Sequence, residues 1–135
     1  QPRLVEVGDA EAFGINDAGM VCGEERLSQT SPTEAKVWSG GSSQTLNANR
    51  TEHTSARDLN GNGVIVGYGG ANIVDHDAFV WPSATATPIV LNKFLPKRNA
   101  PFVFLQKALA VNKAGAIVGT AWTGDDYGAF LAIPK

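Results

Sequence analysis

Residues 14–23 read "GINDAGMVCG", residues 58–67 read "DLNGNGVIVG", and residues 110–119 read "AVNKAGAIVG". One ten-residue phrase occurs three times, in register: Ile15, Leu59 and Val111 align, then Asn16, Asn60 and Asn112, then Gly19, Gly63 and Gly115. Asn at the start of N-x-x-G can bond forward onto its own turn, and Gly at its end can take positive φ without a Cβ clash. That chemistry suits a type I turn followed by a left-handed residue, which joins two antiparallel strands. The apolar runs after the turn, "MVCG", "VIVG" and "AIVG", are too short for helices and rich in β-branched residues. They read as central strands covered on both faces.

A third strand follows each hairpin: "EAKVWS", "DAFVWP" and "GAFLAIP". Two repeats continue to a fourth apolar piece, near Leu46 and Leu91, and the last does not. A spare apolar stretch, "RLVEV" at residues 3–7, precedes the first repeat and is expected to fill the vacant fourth place of the last. The expected fold is therefore all-β in one domain. Three pseudo-symmetric repeats of about four short antiparallel strands form a closed threefold arrangement, propeller-like or β-prism-like. Their bounds are about 8–47, 48–92 and 104–135, the last completed by residues 3–7. Closure would remove two strand edges that otherwise invite pairing with other molecules, and three repeats is about the minimum for a shared core.

Composition narrows the classes. Charged residues are 18% of the chain and Gly is 15 of 135, against averages of about 25% and about 7%, so turns are many. Eleven basic and 13 acidic residues are too balanced for a dedicated nucleic-acid binder. No apolar run approaches a membrane span, so no membrane insertion is expected. The single Cys22 cannot make an intramolecular disulfide, and packing must supply the stability.

The phrase resembles the HAF-repeat family of predicted extracellular bacterial proteins, whose repeats read approximately G-I-N-x-x-G-x-V-V-G, a variable loop, then H-A-F-x-W. Glu34, Asp77 and Gly128 stand where that pattern has His, and Ala132 where it has the last Trp. The resemblance implies a secreted, periplasmic or cell-surface bacterial protein, visible as an antigen if the organism is a pathogen. It brings no catalytic residues to transfer.

Chemistry-bearing residues are few. Asp58, Asn60, Asn62 and Gly63 resemble the opening of a calcium loop, but position twelve is Gly69 where a bidentate Glu is needed. No metal or other cofactor is expected. Cys22 aligns with Val66 and Val118 and reads as a buried hydrophobe rather than a nucleophile. No cluster of the kind that marks an active site is visible, so the chain reads as a non-enzyme. Recognition through variable loops remains, since loops on a rigid β framework are where binding usually resides. The candidate binding residues are Trp122, Tyr127, Asp125 and Asp126 in "TAWTGDDYG", with Tyr68 and His76 in "YGGANIVDHD". A weaker set, Lys93, Phe94, Lys97 and Arg98, lies in the long link before the last repeat. A protein partner is expected. The alternatives are a carbohydrate-binding, lectin-like domain and, more weakly, a hydrolase using the loop carboxylates.

Overall fold

The computed structural model describes residues 2–7, 10–71, 76–97 and 102–135. Among these, eleven strands form three antiparallel sheets, with a single 3-10 turn at Leu91–Phe94. The first sheet holds β1 (Ala10–Ile15), β2 (Val21–Glu25), β3 (Glu34–Ser39) and β4 (Ser42–Thr45), in chain order. The second holds β5 (His53–Leu59), β6 (Ile65–Gly70), β7 (His76–Trp81) and β8 (Ile89–Val90), again in order. The third has three strands, β9 (Phe104–Val111), β10 (Ile117–Trp122) and β11 (Tyr127–Ala132). Each repeat of the sequence is thus one meander.

The N-x-x-G turns have the expected geometry and one property beyond it. Gly19, Gly63 and Gly115 sit at φ of 82°, 82° and 89°, and their amides donate to Asn16, Asn60 and Asn112 O. Each Asn carboxamide oxygen accepts from amides within its own turn: Asn16 from Ala18 and Met20, Asn60 from Asn62 and Val64, Asn112 from Ala116. The carboxamide nitrogens reach across repeats, Asn16 Nδ2 donating to Asn60 O at 3.1 Å and Asn60 Nδ2 to Asn112 O at 3.0 Å. The three turns form a ladder.

The glycine that closes each phrase is required by the neighbouring strand. A Cβ on Gly23, Gly67 or Gly119 would lie 1.9, 1.8 or 1.8 Å from the carbonyl oxygen of Glu11, Ser55 or Lys107. Register shifts beside these contacts insert one extra residue into β1 and into β5 and two into β9, and such bulges increase the local twist.

The sheets pack in series, face on face. Cys22, Ala35 and Val37 of the first meet Leu59, Ile65, Phe79 and Trp81 of the second. Val66, Ala78 and Val80, on the second sheet's other face, meet Val111, Ile117 and Phe130 of the third. The middle sheet is consequently buried on both faces, and every residue of β6 is buried. First strands adjoin, β1 beside β5 and β5 beside β9.

Two expectations are corrected. Residues 3–7 form no strand and do not complete the third sheet; Leu4 and Val5 are 95% and 65% exposed, and Val7 shares a shallow groove with Trp38 of the first sheet. The serial packing places the first and third sheets at opposite ends of the stack, so a segment held against Trp38 is on the wrong end to reach β11. No sheet is closed. The central strand of the third repeat is also not covered on both faces, because among the described residues no sheet packs on its outer side: Val118 is 45% exposed, whereas Cys22 and Val66 at the same register are fully buried.

Candidate functional site

The uncovered face of the third sheet is the principal surface feature. β10 and β11 pair without a register shift, setting Val118 opposite Leu131, Thr120 opposite Ala129, and Trp122 opposite Tyr127. Residues two apart on a strand share a face, and directly opposed residues share it too. These six side chains therefore form one patch, while Ile117, Ala121 and Phe130 on the other face enter the core. Leu131 is 61% and Tyr127 59% exposed. The Trp122 and Tyr127 rings meet edge to face, 5.1 Å between centroids and 68° between planes.

The loop beyond this pair is stapled. Thr123 N and Oγ1 both donate to Asp126 O, Asp126 N donates back to Thr123 Oγ1, and Tyr127 N donates to Asp126 Oδ1 at 2.8 Å. Gly124, at φ 104°, allows the tight reversal. Asp125 and Asp126 are exposed, so the aromatic pair ends in a fixed acidic rim.

Tyr68 and His76 were expected in a variable loop and instead occupy β6 and β7, buried. Their rings stack 4.5 Å apart. Arg57 lies 4.0 Å over Phe13 and 5.1 Å over Tyr68, donates from Nη2 to the Tyr68 hydroxyl, and Lys107 lies 5.0 Å over the same ring. This cation–aromatic stack draws on all three repeats and ties the sheets together near their first strands. Tyr68 and His76 are buried within it, while Phe13, Arg57 and Lys107 are half-buried at its edge.

The weaker basic–aromatic set is only partly assembled. Lys93 Nζ lies 5.0 Å from the Phe94 ring, Phe94 is exposed, and Lys97 is exposed beyond the 3-10 turn. Arg98 lies outside the described residues. Asn92, beside them, is committed to structure, its amide donating to Asp77 Oδ1 and Leu105 O.

The remaining polar candidates are likewise used by the fold. Asp58 Oδ2 accepts from Val111 N at 2.9 Å, joining the second and third repeats, and the Asn60 oxygen is filled by turn amides. Among the described residues no group of three or more His, Cys, Asp or Glu side chains could hold a metal ion. Burial, reinforced by the charge of Asp58, pushes the Cys22 thiol up to about 12, which keeps it protonated and poorly nucleophilic at neutral pH.

The fold and this face define a class: an all-β arrangement of three antiparallel sheets packed in series, the outer face of the third uncovered among the described residues. Comparison with family models, with curated proteins and with solved structures finds no match.

The sequence points to Trp122 and Tyr127 but not to Val118, Thr120, Ala129 and Leu131. Their signal is indirect. Val118 and Leu131 align with Cys22 and Val37 and with Val66 and Val80, which are interior, and only the packing order reveals that the third copy is uncovered among the described residues.

Proposed function

We propose that this chain is a protein-recognition module without catalytic chemistry, and that its partner docks on the outer face of the third sheet. The observation that carries the reading is the outer face of the β10–β11 pair, where Val118, Leu131 and Tyr127 are exposed and Trp122 is half-buried against Tyr127, bounded by Asp125 and Asp126. Large exposed apolar patches with polar rims mark interaction sites, and aromatic side chains anchor interfaces because they bury much area with little rotamer loss. The repeat phrase's likeness to the HAF-repeat family supports placing the protein outside the bacterial cytoplasm, in the periplasm, at the surface or secreted. A closed propeller-like ring is the arrangement in which such a face would be covered.

The test is a binding comparison of the parent with Trp122→Ala. A protein partner retained by the parent and lost by the variant, together with a glycan array that gives no hits, supports the reading. Glycan binding that depends on Trp122, with no protein retained, replaces it with the lectin-like alternative.

A further inference from the structure

In the first two repeats the fourth strand lies in the chain just ahead of the next repeat, and the link leaving it packs on the next sheet. Trp81 Nε1 of the second sheet donates to Asn47 O, two residues beyond β4, at 2.9 Å. Residues 3–7 stand in the same place ahead of β1, and Val7 shares a groove with Trp38, the residue in register with Trp81. Val7 thus lies where the link leaving the fourth strand of a preceding sheet would run, with Leu4 and Val5 exposed. At the other end β11 is an edge with no fourth strand beyond it among the described residues. Among the described residues there is thus an unpaired apolar segment ahead of the first sheet and, at the other end, a sheet that lacks a fourth strand.

The two end faces match in the same way. Val118 and Leu131 occupy the register of Val66 and Val80, which are 0% and 8% exposed where the second sheet meets the third. Ile15 and Val21 occupy the register of Leu59 and Ile65, which are 3% and 0% exposed where the second meets the first. Ile15 itself is 67% exposed. The Asn ladder runs one way, each carboxamide nitrogen donating to the next repeat's Asn carbonyl, so Asn112 Nδ2 and Asn16 O are its complementary ends. The match is incomplete: Lys36 stands where Phe79 and Phe130 are buried, its ion-pair partner Glu25 stands where Gly69 and Ala121 are buried, and Trp122 stands in the register of Gly70. These exchanges make an end-to-end junction weaker than the two inner interfaces, so it can separate while each chain stays folded.

We propose that the partner of the third sheet's outer face is a second copy of this chain, joined head to tail. Residues 3–7 of each copy extend β11 of the other antiparallel, as β4 extends β3 and β8 extends β7. The first sheet of one copy covers the third sheet of the other. Head-to-tail contacts that close make rings. Propellers carry about four to eight blades, and six is the multiple of three in that range, so two copies complete the ring and pair the β11 edge of each with residues 3–7 of the other. This inference rests on the reading that the third sheet's outer face docks protein.

Sedimentation equilibrium of the 135-residue chain tests it. The expected mass is twice the 14.2 kDa of one chain, falling to one chain on dilution. Val5→Pro removes a ladder donor from residues 3–7, and Leu131→Lys blocks the third sheet's face; each alone is expected as a single copy with an unchanged strand circular dichroism signal. An equal mixture of the two variants keeps one sound junction and is expected to return the two-copy mass. A parent that stays single at its highest soluble concentration overturns the inference. A Val5→Pro variant that still associates overturns it in favour of like-with-like pairing. If the parent is single yet retains a different protein through Trp122, the inference fails and the docking reading stands; if nothing is retained, both fail.

Discussion

Replacing Asn60 by Ala is the sharpest probe of the ladder that joins the turns. Asn60 is 6% exposed, its oxygen accepts from Asn62 and Val64 at 3.0 Å each, and its nitrogen donates to Asn112 O at 3.0 Å. A typical intramolecular hydrogen bond contributes about 1 kcal/mol net, so losing three costs about 3 kcal/mol. For a chain of 135 residues the unfolding entropy is about 0.28 kcal/mol/K, which converts that loss to a fall of roughly 10 °C in Tm. Asn112, by contrast, is exposed, and its oxygen accepts from Ala116 at 2.9 Å within the turn; Asn112→Ala should cost about 1 kcal/mol or less. Asn60→Asp keeps both turn bonds but sets a buried carboxylate oxygen 3.0 Å from Asn112 O, so it should cost at least as much as the lost cross-repeat bond and be relieved as pH falls and the carboxyl protonates. Urea unfolding followed by circular dichroism measures all three. Equal losses for Asn60→Ala and Asn112→Ala would refute the argument, because they would mean that neither burial nor the cross-repeat bond contributes.

Other substitutions separate close contacts from permissive ones. Gly67→Ala places a Cβ 1.8 Å from Ser55 O and 2.9 Å from its carbonyl carbon, so it should cost upward of about 4 kcal/mol or prevent soluble expression. Gly61→Ala, with nothing within 4 Å and no positive φ, should change stability by no more than about 0.5 kcal/mol. Val66→Asp should unfold the protein while Val118→Asp, at the same register but 45% exposed, leaves each chain folded; thermal melts distinguish them. Cys22 should resist a thiol reagent until the chain unfolds. Its pKa is raised in the fold, so the protonated native thiol contributes stability that is intact below the unfolded value and lost as pH rises from about 9 towards 12; Cys22→Ala should flatten that part of the stability profile.

The sequence by itself determined the local units. Three N-x-x-G phrases specify three tight turns, because Asn self-bonding and positive-φ Gly act within five residues, and the apolar runs around them specify strands. The third strands "EAKVWS" and "DAFVWP" are legible for the same reason of register, and they carry the buried Trp38 and Trp81. Only the tertiary structure decided the rest. Tyr68 and His76 look like loop residues until β6 and β7 bring them between repeats, where Arg57 and Lys107 close on the Tyr68 ring. The closing glycines look like punctuation until the bulged first strand sets a carbonyl under 2 Å from where a Cβ would be. Residues 3–7 and Val118 show the limit most plainly: a strand's composition states that it can pair and be covered, but what lies against it depends on where distant repeats stack, a choice no local pattern encodes.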